Sequence, residues 1–238
     1  MISCTSPKKQ LVETQTRLIP VNEKYQTDSL IDNYILPYRT SVDKEMSTII
    51  SYTPENLNSR DGKLESSLGN LLADLCYEQA NPVFNKRTQE DIDFVLFNHG
   101  GIRASIGKGG ITNRHAFQLM PFENMLVVVE LTGEKVVEMV DYLNKSNRAH
   151  PLSKQVKLHL ENDSIATFTI NNKPFDRSKN YFVLTSDYLQ KGGDKMNFFA
   201  NPVSLHELDY KFRAAIIDYF VKTDTVKTRL DQRFKRIN

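Results

Sequence analysis

Side chains suited to chemistry gather in two stretches of the sequence. Asn98-His99-Gly100-Gly101-Ile102-Arg103 and Pro121-Phe122-Glu123-Asn124 form the first, and Asp187-Tyr188-Leu189-Gln190-Lys191-Gly192-Gly193-Asp194 forms the second. A Gly-Gly pair removes the Cβ atoms that keep other groups away from the backbone. Arg103 adds a permanently charged fork of N–H donors beside the first pair, which suits an anion. The second pair is flanked by an aromatic ring, Tyr188, and a carboxylate, Asp194. Phe122 and Tyr188 can face each other across a planar ligand while Asn98 reads its polar edge and Asp194 accepts from vicinal hydroxyls. Such parts describe a nucleotide or nucleoside site, with Asn98, Gly100, Gly101, Arg103, Phe122, Asn124, Tyr188, Gly193 and Asp194 as its candidate residues.

Each loop needs an element to deliver it. Residues 92–97 are apolar except for Asp93, residues 181–185 are a second short apolar run, and each run leads into one of the Gly-Gly loops. Both read as strands that end in loops at the edge of a sheet. Elsewhere, Leu30, Ile31, Tyr34, Ile35, Tyr38 and Val42 at helical spacing predict a helix within Asn22 to about Met46, with Pro37 as a kink or break. Residues 46–52 read as a strand. Ser66 predicts the cap of a helix over 68–80, with Leu68, Leu71, Leu72, Leu75 and Cys76 on one face. The valine-rich run 124–131 predicts a buried strand, and Thr132 the cap of the helix after it. Strands at 155–160 and 165–170 flank the turn residues Glu161-Asn162-Asp163-Ser164 as a hairpin. Ser204 and Glu207 have capping-box spacing, predicting a helix that turns Leu205, Leu208, Phe212, Ile216 and Tyr219 inward. Alternation of strands and helices indicates a mixed α/β domain with antiparallel pieces.

The 238 residues, 39% apolar and 25% charged, can bury a sizeable core. A net charge of +2 without a basic stripe gives no reason to expect nucleic-acid binding. The basic residues between Lys222 and Arg236 alternate with Asp224 and Asp231 and read as a solvated helix face. Residues 1–20 are polar and aperiodic, the pattern of a tether, leaving 21–238 for the folded domain. Of the two cysteines, Cys76 falls in an apolar helical pattern and reads as core. Cys4 follows Ile2-Ser3 and precedes a polar stretch, which matches the tail of a bacterial lipoprotein cleavage site. A lipid anchor at Cys4, with a signal segment upstream of this sequence, is one reading. An incidental cysteine at a cytoplasmic start is the other. No run approaches the ~20 apolar residues of a membrane span, so membrane attachment is expected only through such an anchor.

Taken together, Asn98–Arg103, Ile111-Thr112, Pro121–Asn124, Leu131-Thr132-Gly133 and Tyr188–Asp194 resemble the C-terminal domain of the 5′-nucleotidase family, in the family's order. The resemblance spans residues 45 to 220. It implies a layered sandwich of mixed sheets covered by helices, with Phe122 and Tyr188 clamping the base, Asn98 on the base edge, Asp194 on the ribose hydroxyls and Arg103 on a phosphate or ribose-phosphate edge. It also implies a largely periplasmic or cell-envelope setting, which tips the choice at Cys4 toward export.

In that family, hydrolysis is carried out by two metal ions and a water on an N-terminal metallophosphoesterase domain. The chain shows neither of that domain's histidine signatures, Asp-x-His and Gly-His-x-His, and its one Gly-Asp, Gly193-Asp194, belongs to the second loop; His99 beside Asn98 reads as a loop histidine. The expectation is therefore a nucleotide- or nucleoside-recognising domain with no catalytic or metal-binding residue of its own. Divalent metals (Zn, Mn, Mg or Ca) would sit on a separate metallophosphoesterase chain. The alternative is a lipid-anchored protein that captures nucleosides or nucleotides without hydrolysing them. Relatives also carry arginines just before the first helix of the domain. Here that loop reads Asn58-Ser59-Arg60-Asp61-Gly62-Lys63, so Lys63, as a point charge, or Arg60 would take over phosphate binding.

Overall fold

A computed structural model describes residues 11–237. Cys4 and the first half of the expected tether therefore lie outside the described residues. The chain divides into two compact units, one up to Val42 and one from Asp43 onward. Residues 11–28 form no helix or strand, and helix α1 (Ser29–Ser47) follows. Its periodicity is the one read from the sequence, but Pro37 lies inside the helix without breaking it.

The second unit is organised around β4 (Met125–Thr132), the valine-rich segment, whose residues Leu126 to Val129 and Leu131 are buried. β-branched side chains fit a pleated surface covered on both faces. On one side β4 pairs antiparallel with β8 (Asn180–Ser186), and β2 (Phe94–Val95) adds to β8 in parallel. On the other side it pairs antiparallel with β9 (Ser204–Lys211), giving the order β2-β8-β4-β9. The strand predicted at 92–97 pairs over Phe94 and Val95 only. Leu96 continues in contact, donating its N–H to Leu184 and accepting from Thr185 at 3.0 Å.

Helix α2 (Ser67–Thr88) packs on β2, on β9 and on α6 (Phe212–Lys222), and α4 (Gly133–Ser146) packs on β4. The Ser66 hydroxyl caps α2 by accepting from Gly69 N–H at 3.0 Å, and Thr132 caps α4. Helix α2 runs past the expected end at 80 and through Pro82 to Thr88, with Phe84 buried in the same core. On α4, the residues Val136, Met139, Val140 and Leu143 form the buried stripe that a helix needs against a sheet.

A second sheet has the order β10-β5-β6-β7, with β5 (Val156–Glu161) and β6 (Ser164–Ile170) as the expected hairpin. Asn162 (φ 47°) and Asp163 (φ 62°) make its two-residue turn in the left-handed region that these residue types tolerate. The short strand β7 (Lys173–Pro174) closes one edge, and β10 (Phe234–Ile237) lies parallel to β5 on the other. A two-stranded antiparallel sheet pairs β1 (Ile49–Thr53) with β3 (Gly109–Thr112), which leads into helix α3 (Asn113–Leu119). The domain is thus mixed α/β, with mixed sheets covered by helices.

Two expectations fail. The segment from Ser204 is not a helix start but the outer strand β9. The Ser204 hydroxyl donates to Glu130 at 2.8 Å instead of capping a helix turn, and Val203 N–H bonds the Glu130 carbonyl at 2.9 Å. Pairing with the open edge of β4 overrides the local capping-box pattern, and the helix begins only at Phe212. The basic stretch 222–236 is not a helix face either. Past Lys222 it is irregular until β10, and Arg233 within it is buried.

Candidate functional site

The first loop leaves β2 through the buried Leu96 and Phe97, and His99–Gly101 forms a single 3-10 turn. The turn is tied down at several points. Phe97 N–H bonds the Pro151 carbonyl at 2.9 Å, His99 N–H bonds His150 Nδ1 at 3.1 Å, and Arg103 N–H bonds the Leu119 carbonyl at 3.0 Å. A Cβ at Gly101 would sit 2.8 Å from Asn98 Oδ1, so glycine there lets the Asn98 amide fold back over the turn.

In the second loop, Ser186 caps the one-turn helix α5 (Asp187–Gln190), which presents Tyr188. The two glycines that follow have separate jobs. Gly192 adopts φ +88°, and Gly193 lies so close beneath the Tyr188 ring that a Cβ would come within 2.5 Å of it. Asp194 follows in the left-handed region at φ 51°. Its Oδ2 accepts from Asn98 Nδ2 at 2.6 Å and its Oδ1 from the Tyr188 hydroxyl at 3.1 Å, so one carboxylate joins the two loops. Tyr142, from α4, donates to the Asp194 carbonyl at 3.0 Å.

A third segment, residues 120–124, carries Phe122 to the same place. Arg213, in the first turn of α6, donates to the carbonyls of Met120 (3.1 Å) and Phe122 (3.4 Å) and pairs with Glu123. Lys211 also pairs with Glu123 at 2.6 Å, and bonds from Lys211 and Arg213 hold the Glu123 carboxyl below its ordinary range. Phe212 N–H bonds the Asn124 carbonyl at 2.9 Å.

Between these loops lies a cleft of about 310 Å³ lined by Asn98, Gly100, Gly101, Arg103, Phe122, Asn124, Tyr188 and Asp194. Phe122 is 43% and Tyr188 45% exposed, so neither ring is buried in the core. The Arg103 guanidinium stands 5.9 Å from the centre of the Phe122 ring. The walls therefore offer two aromatic faces, an amide, a fixed cation and a carboxylate, a set able to hold a flat polar ligand bearing hydroxyl or anionic groups.

Of the candidate residues, Gly193 supports the cleft from beneath Tyr188, and Lys63 does not line it. Lys63 and Arg60 line a neighbouring cavity of about 350 Å³ together with His99 and Arg148. Sequence reading missed Arg213, Lys211, Asp187 and His150. Asp187 Oδ1 accepts from Tyr188 N–H at 2.9 Å and Met125 N–H at 3.0 Å, joining the ring-bearing turn to β4. A carboxylate one residue past a Ser cap was the available signal for it. His150 is 5% exposed, and its ring Nδ1 accepts from His99 N–H. Burial, reinforced by His99, pushes its pKa down to about 4. Among the described residues its Nε2 is buried without a partner. Among the described residues no three His, Cys, Asp or Glu side chains are grouped so as to hold a metal ion.

Comparison with known proteins identifies the fold and the family. The chain is 25% identical over 210 residues to a 5′-nucleotidase of Vibrio parahaemolyticus, an alignment covering 82% of this chain and 34% of that protein. It is 30% identical over 150 residues to the cell wall protein Lmo0130 of Listeria monocytogenes, covering 57% of this chain and 18% of that one. The chain thus spans about a third or less of the length of these relatives. Among solved structures, a 5′-nucleotidase precursor from Thermus thermophilus shares the fold, with a TM-score of 0.72 at 22% identity over 88% of this chain and 43% of that one. The family model described as 5′-nucleotidase, C-terminal domain, matches residues 47–201. On that match over more than half its length, the chain belongs to the 5′-nucleotidase C-terminal domain family.

Proposed function

We propose that this domain recognises a nucleotide or nucleoside for a 5′-nucleotidase-type phosphohydrolase, with the base between Phe122 and Tyr188. In this reading Asn98 meets the base edge, Asp194 accepts from the ribose hydroxyls, and Arg103 faces the phosphate side. Lys63 and Arg60 sit one cavity further along, where they attract a phosphate group as point charge and fork respectively. The observation that carries the reading is the cleft itself: two exposed rings, an amide, an arginine and a carboxylate converge there from three separate segments.

The chemistry of bond breaking is assigned to a metallophosphoesterase domain outside these residues, where divalent ions would supply the Lewis-acid chemistry. The setting that fits is the cell envelope, in keeping with the cell-wall description of one relative. The test is to incubate the purified chain with 5′-AMP and Mn²⁺ or Zn²⁺. The expected result is no phosphate release from this chain alone. Substantial hydrolysis would contradict the division of labour.

A further inference from the structure

We infer that Arg213 is a positioning residue for the Phe122 ring and thereby helps to set how tightly the cleft holds a base. The inference rests on the nucleoside reading above. Phe122 projects from the 120–124 segment, and 43% of its surface is exposed. The stacking face is therefore aimed mainly by the backbone beneath it. That backbone is gripped from one side by three consecutive residues at the start of α6. Lys211 holds the Glu123 side chain, the Phe212 N–H holds the Asn124 carbonyl, and Arg213 holds the Met120 and Phe122 carbonyls and Glu123.

Arg213 is the centre of this clasp. Its side chain is only 11% exposed, and its guanidinium stacks 4.2 Å from the centre of the Phe117 ring. A charge so placed needs its N–H groups answered, and they are answered by two carbonyls and a carboxylate of the ring-bearing segment. The planar fork reaches acceptors on Met120, Phe122 and Glu123 at once, a geometry that the single ammonium of lysine does not reproduce. Phe212 in the same turn packs its ring 4.2 Å from the Phe97 ring, directly before Asn98, so the start of α6 touches two of the segments that make the cleft.

Adenosine binding measured by calorimetry on single and double variants tests this. Because the base stacks on this ring, Phe122→Ala should weaken adenosine by about tenfold or more. Arg213→Ala should weaken it about fivefold to tenfold, and the double variant should bind within about twofold of Phe122→Ala alone, because one removes what the other aims. Combined with Asp194→Ala, by contrast, the effect of Arg213→Ala should multiply. A general loss of stability would not produce that difference. Glu123→Gln, at an exposed position, provides a folded second variant, expected to weaken binding about threefold and again not to add to Phe122→Ala.

The proposal is overturned if Arg213→Ala and Glu123→Gln bind like wild type, or if their effects multiply with that of Phe122→Ala. If wild type fails to bind adenosine, or Phe122→Ala costs nothing, the nucleoside reading falls and this proposal falls with it.

Discussion

His150 shows what a single buried side chain does behind the cleft. Its Nδ1 accepts the N–H that fixes the His99–Gly101 turn, so the ring must stay neutral to keep that bond. Burial and the neighbouring His99 lower its pKa from 6.5 to about 4, with Asp194 acting in the other direction. Between those values the unfolded chain binds a proton that the folded chain refuses. The neutral ring's contribution to stability is therefore fully present above pH 6.5 and is lost as pH falls toward 4. The linkage is worth about 3 kcal/mol at full extent. Urea titrations at about pH 7 and about pH 4.5 should show wild type losing a share of that order which His150→Gln does not lose. Equal pH dependence in the two proteins would contradict the assignment. At this scale the sequence was informative wherever a residue type has few uses: adjacent glycines, an exposed ring beside a turn, an arginine in a glycine loop. The two glycines of the second loop proved to have different jobs, a left-handed turn at Gly192 and contact with the ring at Gly193, which spacing alone does not separate. His150 carried no such signal, because its importance comes from a partner far away in sequence, and that of Asp187 showed only in its place one residue after a Ser cap.

Elements were legible where their period was long and their role local. The α2 and α4 stripes, the hairpin of β5 and β6, and the valine-rich β4 all follow from pattern and turn chemistry. The failures share one cause. Ser204 to Lys211 pairs with β4, far earlier in the chain, and an open strand edge outcompetes a weak capping box. The stretch around Arg233 likewise answers to distant partners. Its side chain is 5% exposed, and the guanidinium bonds Asp74 at 2.8 and 2.9 Å and Asp231 at 2.7 and 2.8 Å. Burial alone would lower the arginine's pKa, but these carboxylates outweigh it and raise it above the usual value. Arg233 also donates to the Leu152 carbonyl at 2.9 Å, and its own carbonyl accepts from Leu158 in β5, so it fastens the last strand to the sheet and to α2. Removing one partner of a buried ion pair typically costs ~3–5 kcal/mol, and Arg233→Ala should accordingly lose about 3 kcal/mol in urea unfolding. A loss below about 1 kcal/mol, the range of an exposed pair, would mean that the C-terminal strand is held by packing alone.

For the second unit as a whole, the sheet order β2-β8-β4-β9 brings the three segments together. Parallel pairing of β2 with β8 sets the two Gly-Gly loops side by side at the same end of the sheet, and antiparallel β4 begins at that end, directly after Phe122 and Asn124. Asp187 and Asp194 then tie the loops to β4 and to each other, and the start of α6 fixes the remaining segment. The site is a consequence of topology more than of any single loop. In the proposed function this convergence holds a nucleoside between Phe122 and Tyr188. Calorimetric titration of adenosine and AMP into wild type and Tyr188→Ala tests it most directly. Wild type should bind saturably, and the variant should lose about tenfold or more, the worth of one stacked ring. No binding to wild type, or the same affinity in both proteins, would contradict it.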